Sequence, residues 1–372
     1  MKKQGTDNLM NTRASLSPLT DAELAAQATV HPELLHHAHI LIAGASGLIG
    51  SLLVSTLHEL NKKLDLGMTI VAAARRTQHM QELFSHCSDV HIVSLDVGDS
   101  QQVAAFARGI SEKPLTHIIH AASPANPSLF AHSPVETMNS NIQGLINLVS
   151  LARQSTPARF VYISSGEVYG YTHGWHVMKE DEQGELDPLS VRSCYPQAKR
   201  ASETLAVSAM SEYGIPFVIA RLSHVFGPGF LSSDNRISAD FFKRAAAGQP
   251  IELRSAGLDH RTFIYVSDCV SGILSLLTVG QAGVAYNVTN SDNLTTVADF
   301  SSLIATTAHV PFSHGQAQPD WQENTSLQRA TALDDTRLKQ LGWMPTVSLE
   351  EGVTRTLSWL RGELNPHRNE SA

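Results

Sequence analysis

Tyr195 and Lys199 stand four residues apart in Tyr195-Pro196-Gln197-Ala198-Lys199, a segment that reads as the opening of a helix. Residues so spaced share one helical face, which puts the two side chains in mutual reach. A phenol ionises at a pH of about 10 and is a poor base at neutrality. A lysine ammonium a few ångströms away favours the phenolate and lowers that value. Upstream, Ser164-Ser165-Gly166-Glu167-Val168-Tyr169-Gly170 follows the apolar run Arg159 to Ile163. That run reads as a buried strand emptying into a polar turn, the place where open α/β sheets put chemistry. A serine hydroxyl there could share a substrate hydroxyl with the tyrosine. The set suits removal of a proton from an alcohol while a hydride leaves the same carbon. A Tyr-Lys spacing by itself is common, and it gains meaning only beside a cofactor site.

Such a site is legible near the N-terminus. His39 to Ala43 is a short apolar strand, followed by Gly44-Ala45-Ser46-Gly47-Leu48-Ile49-Gly50 and an amphipathic helix to about Leu60. Glycines three apart at a strand-to-helix turn let the backbone approach a pyrophosphate. The helix start supplies unpaired N–H groups and a favourable dipole for that anion. A second strand, Thr69 to Ala74, lacks the carboxylate expected to hold the adenosine ribose hydroxyls. Ala74 stands there instead, and Arg75-Arg76 follow. Arginine at that place could accept a 2′-phosphate, so NAD and NADP both stay open. Further strands are expected at Val90 to Leu95, Thr116 to His120 and Ile215 to Arg221, and further helices at Pro134 to Arg153 and Tyr195 to Tyr213. These make an α/β fold, a Rossmann-like doubly wound parallel sheet, with a smaller C-terminal α/β lobe.

With these motifs the chain resembles the extended short-chain dehydrogenase/reductase family, the NAD-dependent nucleotide-sugar epimerases, dehydratases and decarboxylases. The resemblance covers roughly residues 39 to 360. It implies a cofactor site of Gly44, Ser46, Gly47, Leu48, Ile49, Gly50 and Arg75, with Asp96-Val97 beside the adenine and Ala121-Ala122 along the dinucleotide. Asn141 would support the active-site backbone, and Tyr195 and Lys199 would also face the cofactor. Ser123, His224, Arg236 and Arg261 would bind substrate, the arginines clamping a diphosphate through their planar guanidinium forks. The family usually carries Asn where His224 stands. The run Ala122-Ser123-Pro124-Ala125-Asn126-Pro127 looks most like the UDP-glucuronate decarboxylases, and Asn235-Arg236 and His260 to Asp268 also follow the family pattern.

The resemblance implies transient oxidation of the sugar at C4. Tyr195 would be the base, Lys199 its partner, Ser165 (two residues before Glu167) the orienting hydroxyl, and Glu167 a positioning group or proton relay. A 4,6-dehydratase would carry Asp-Glu where this chain has Gly166-Glu167, which disfavours dehydration. Decarboxylation of UDP-glucuronate is the leading reading, although Gly166 occupies a position where decarboxylases bear a hydroxyl or thiol. A nucleotide-sugar 4-epimerase is the runner-up. A non-catalytic NAD(P)-binding protein is the reading from another class, disfavoured because Ser165, Tyr195 and Lys199 are all kept. The family also implies a homodimer formed through a four-helix bundle.

The domain boundaries expected are an extension at 1–38, a cofactor domain at 39–222 rejoined by about 262–285, a lobe at 223–261 and 286–362, and a solvated tail at 363–372. Residues 1–20 read as disordered and Asp21 to Leu35 as one helix capped by Thr20 or Asp21. A chain of 372 residues can hold one large α/β domain with a lobe, and 42% hydrophobic with 17% charged residues is a globular composition. A net charge of −8 without any Lys/Arg run argues against nucleic acid. No apolar run approaches the roughly 20 residues that span a bilayer. Cys87, Cys194 and Cys269 form neither a metal spacing nor a disulfide framework, and the reading is cytoplasmic. Among 18 histidines, His31, His36, His37 and His39 cluster without a metal-ligand pattern, so no metal site is expected.

Overall fold

A computed structural model describes residues 20–123, 127–172, 176–230, 236–315 and 331–362. Expectations for residues 1–19, for Pro124, Ala125, Asn126 and Asn235, and for the tail beyond 362 lie outside the described residues. In chain order the strands begin with β1 (His39–Ala43), β2 (Thr69–Ala74), β3 (Val90–Ser94), β4 (His117–His120) and β5 (Arg159–Ser165). They continue with β6 (His176–Met178), β7 (Phe217–Leu222), β8 (His224–Phe226), β9 (Ile251–Leu253) and β10 (His260–Tyr265). The last are β11 (Ala285–Val288), β12 (Leu294–Thr296), β13 (Phe312–His314) and β14 (Thr331–Leu333). The helices begin with α1 (Asp21–Ala28), α2 (Leu48–Leu64), α3 (Gln78–Phe84), α4 (Ser100–Gly109), α5 (Pro127–His132) and α6 (Pro134–Ser155). After them come α7 (Cys194–Tyr213), α8 (Ile237–Ala246), α9 (Val266–Val279), α10 (Val297–Ala308), α11 (Thr336–Lys339) and α12 (Leu349–Leu360).

Seven strands form one parallel sheet in the order β11-β7-β5-β4-β1-β2-β3. Strands such as Ile40-Leu41-Ile42 are apolar without interruption because helices cover both faces of the sheet. Side chains alternate between two cores. Ile40, Ile42 and Ile70 pack with Leu53 and Leu57 of α2, whereas Leu41, Val71, Phe160 and Phe217 pack with Leu145 and Leu148 of α6. The chain crosses from β3 to β4 over β1 and β2, so the order reverses between β1 and β4. Ligands of doubly wound sheets sit at that crevice, outside the carboxyl ends of the strands.

The smaller lobe has a second sheet, β12-β10-β14-β6, with β8 also paired to β10, and a separate β9–β13 pair. Helices α8, α10 and α12 pack together, and Phe263 stacks on Phe300 at 4.0 Å with Phe226 edge-on at 5.3 Å from Phe300. Two differences from the sequence reading stand out. β11 pairs with β7 in the main sheet, although most of it falls in the span expected of the lobe. The segment from Asp21 to Leu35 is also not one helix. Thr20 and Glu23 form a reciprocal capping box that starts α1, but the chain leaves the helix at Thr29, His31 turns left-handed (φ 49°), and Pro32 opens a separate 3₁₀ turn. No helix among the described residues is long and apolar enough to cross a membrane, and no cluster of His, Cys, Asp and Glu among them could hold a metal.

Candidate active site

β5 and α7 bring the first group together. Pro196 lies in the first turn of α7, where its missing N–H costs no helical bond. Tyr195 is 6% exposed and Lys199 2% exposed. The Tyr195 hydroxyl lies near enough to those of Ser165 and Ser123 for both to favour its ionised form, and its ring stacks on Phe130 at 4.5 Å. Ser164 faces away, donating to Glu203 at 2.6 Å in the interior. Of the two adjacent serines, only Ser165 therefore meets the tyrosine. Asn141, 1% exposed on α6, accepts from the Ser123 hydroxyl at 2.8 Å and donates to Thr137 O at 2.7 Å.

The electrostatics differ from the expectation that Lys199 lowers the Tyr195 phenol. Burial pushes that phenol above its ordinary value and the Glu167 carboxylate pushes it further, against the hydroxyls of Ser165 and Ser123. Lys199 is itself pushed down to about 7 by burial, with Glu203 opposing. Its ammonium donates to Ile163 O at 2.8 Å and lies 4.9 Å from the Tyr162 ring centroid and 5.8 Å from that of Tyr195. The two side chains share a face as their spacing requires. Desolvation sets the direction of both shifts.

Glu167 follows in the 3₁₀ turn Gly166–Tyr169. One of its oxygens accepts from Arg192 Nη2 at 2.8 Å, and Oε2 is buried with no hydrogen-bond partner. Arg192 lies 5.1 Å over the Phe130 ring, the same ring on which Tyr195 stacks. Arg192 was not singled out from sequence. Its position three residues before Tyr195 was the available signal. Arg261 is buried, pairs with Asp259 at 3.2 Å, and is pushed down by burial while Asp259 and Glu167 act the other way. His224 opens β8. Its surface is open to solvent, yet the surrounding protein and the charges of Arg261 and Arg236 depress it to about 3. The charges of Arg261 and Arg236 thus act on His224, and that of Glu167 on Arg261. Gly166 points elsewhere: a Cβ there would lie 3.1 Å from Leu333 Cδ1 and 3.3 Å from Leu222 O.

The β1–α2 turn fits a dinucleotide. Gly44 has φ 93° and a Cβ there would strike the Ala122 backbone at 2.5 Å; at Gly50 it would strike Gly44 O at 2.2 Å. These two glycines let the β4 turn and α2 close on the end of β1. A Cβ at Gly47 would meet nothing nearer than 3.6 Å, so that backbone stays open to a ligand. Gly47 caps α2 without a side-chain hydrogen bond, leaving the N–H groups about Leu48 and Ile49 free of a side-chain cap beside Ser46. Ala121 N donates to Ala43 O at 2.8 Å, which aligns the two turns at the switch point. At the end of β3, Asp96 accepts from Gly98 N at 2.9 Å, and buried Val97 is held through its carbonyl by Asn147 Nδ2 at 2.8 Å. Asn147 was not singled out from sequence. Arg75 and Arg76 are exposed at the end of β2.

Comparison with known proteins gives the family and the fold. The NAD dependent epimerase/dehydratase family matches residues 40–290. UDP-glucuronic acid decarboxylase 1 of Danio rerio is 29% identical over 335 residues, 89% of this chain and 74% of the relative. UDP-glucuronic acid decarboxylase 3 of Arabidopsis thaliana is 29% identical over 333 residues, 89% of this chain and 91% of the relative. Among solved structures, UDP-glucose 4-epimerase of Thermotoga maritima superposes with a TM-score of 0.75 at 23% identity, covering 88% of this chain and 100% of the other. The dTDP-glucose 4,6-dehydratase of Bacillus anthracis does so with a TM-score of 0.72 at 19% identity, covering 88% and 97%. The chain belongs to the NAD dependent epimerase/dehydratase family and is an enzyme of that family.

Proposed function

We propose that the chain modifies a nucleotide sugar by transient oxidation at C4, and that its reaction is decarboxylation of UDP-glucuronate. The observation that carries the reading is the meeting of Ser165, Tyr195 and Ser123 hydroxyls beside a Glu167 carboxylate held by Arg192. Bound NAD would supply the hydride acceptor and return the hydride. Gly44, Gly47 and Gly50 would seat its pyrophosphate, Asp96 and Val97 would flank its adenine, and Ala121, Ala122 and Lys199 would border the rest. Ser165 would orient the C4 hydroxyl, and Tyr195 would take its proton as the phenolate, a form that burial disfavours in the unliganded chain and that the positive charge of a bound nicotinamide would favour. Lys199 stands on the same helical face, as the partner of Tyr195. A β-keto acid loses CO2 readily, so the next step asks little of the protein: Glu167 positions the ring, its unbonded Oε2 being free to relay a proton. His224, Arg236 and Arg261 hold the diphosphate. The two decarboxylases reported above, alike in sequence over most of their length, favour this substrate.

A second reading, 4-epimerisation, is favoured by Gly166. That position carries no hydroxyl, and a side chain there would have to displace Leu333. NMR of the protein with NAD and UDP-glucuronate separates the two: a pentose signal with CO2 supports decarboxylation, and a new hexuronate without CO2 replaces it with epimerisation. Tyr195→Phe should slow turnover by about 10²- to 10⁴-fold, the usual worth of a positioned acid–base group. Unchanged turnover in that variant would remove Tyr195 from the mechanism.

The same reading includes a homodimer through α6 and α7. These helices pack on each other and leave Val135 (72% exposed), Met138 and Ile146 of α6 and Val207 of α7 on the surface. Sedimentation should give a dimer that Ile146→Glu converts to monomer. A monomeric parent would refute the assembly while leaving the chemistry in place.

A further inference from the structure

We propose that the end of β2 is built to accept a phosphate on the adenosine 2′-oxygen, so that the chain takes NADP as well as NAD and binds it more tightly. The inference rests on the dinucleotide reading of the glycine turn and concerns only which dinucleotide is preferred. β2 is fastened to that turn: Ala73 O accepts from Gly44 N at 2.9 Å and from Ala45 N at 3.0 Å. The residues that leave β2 therefore emerge beside the place where a ribose hangs from the pyrophosphate. A site made for two free ribose hydroxyls would offer a carboxylate acceptor there. Ala73 and Ala74 offer none, both are buried, and Ala74 is held in register with Ser94 of β3.

Two guanidinium groups take the place of that acceptor. Arg75 and Arg76 are exposed, and neither forms an ion pair among the described residues. The carboxylate at the end of the neighbouring strand, Asp96, is engaged with Gly98 N and pairs with neither arginine. In a chain of net charge −8, two adjacent uncompensated arginines at this loop make a local cationic patch. A guanidinium offers a planar fork that matches a phosphate dianion in two parallel hydrogen bonds, and the bare hydroxyl of NAD cannot use it equally.

Calorimetric titration of the full chain with NADP⁺, NAD⁺, 2′,5′-ADP and 5′-ADP tests the inference without any turnover. NADP⁺ is expected to bind at least about tenfold tighter than NAD⁺, with 2′,5′-ADP preferred over 5′-ADP in the same sense. The Arg75→Ala/Arg76→Ala variant, altered only on the surface, should lose that preference while NAD⁺ affinity stays within about twofold. NAD⁺ binding as tightly as NADP⁺ or tighter would overturn the inference and leave the cofactor reading standing, the arginines being solvated loop charges. Equal weakening of both dinucleotides in the variant would also overturn it. Failure of both dinucleotides to bind would overturn it together with the cofactor reading.

Discussion

His120 closes β4 with both ring nitrogens buried and without a hydrogen-bond partner, and burial next to the Lys199 charge depresses it to about 3. The folded chain thus keeps this imidazole neutral, whereas the unfolded chain protonates it near its ordinary 6.5. Between those values the unfolded state binds more protons. The stability tied to His120 is full above about pH 6.5 and is lost as pH falls toward 3, at about 1.4 kcal/mol per pH unit for one proton. His120→Leu removes both the titration and the unmet N–H. Replacing such a group by an apolar one costs little or even stabilises. Urea unfolding at pH 7.5 and pH 5 should therefore show the parent losing stability relative to the variant on acidification. Parallel losses in the two proteins would exclude His120 as a source of acid sensitivity.

At the scale of elements, α7 carries Tyr195, Lys199 and Glu203 at successive intervals of four, so the three lie along one face. Glu203 accepts from Ser164 at 2.6 Å and from Arg221 Nε at 3.0 Å and Nη2 at 2.7 Å. Arg221 goes on to donate to Tyr169 Oη at 3.2 Å and Glu180 O at 2.9 Å. This buried network ties α7 to the ends of β5 and β7, and it holds the helix that presents the tyrosine. Glu203→Ala leaves the guanidinium of Arg221 buried without its carboxylate, a loss of about 3–5 kcal/mol. Equilibrium denaturation measures it; a loss below about 1 kcal/mol would mean that solvent takes over the role. The motif was readable as far as Lys199. Glu203 continues the same spacing, but nothing local says that its partner is an arginine on another strand.

Over the whole molecule, the segment from Asp21 to Leu35 docks against the fold. α1 packs on α2 and α9, and the Val30 backbone is held by Ser275 and Thr278 of α9 at 3.0 and 2.7 Å. Asp21 accepts from Arg355 of α12 at 2.8 and 3.1 Å and from Tyr265, where β10 passes into α9, at 3.0 Å. One carboxylate thereby joins the helices over the main sheet to the last helix of the lobe. Hydrogen bonds to a charged group of this kind are worth about 1.5–3 kcal/mol, so Asp21→Ala should lower the free energy of unfolding by about 2 kcal/mol. Asp21→Asn should recover part of it. Urea midpoints decide the matter, and equal midpoints for parent and Asp21→Ala would dismiss the clasp.

What the sequence by itself determined are features encoded within a few residues of one another. The strand–glycine turn–helix of β1 and α2, the shared face of Tyr195 and Lys199, and the apolar runs of the parallel strands follow from local spacing and from burial on both faces. Tertiary structure alone decided the rest. Arg192 meets Glu167 across 25 residues and Asp21 meets Arg355 across 334, separations over which spacing carries no information. The direction of the Tyr195 and Lys199 shifts belongs to the same class. Proximity to each other was legible, but desolvation is set by everything packed around the pair, and here it is the stronger effect.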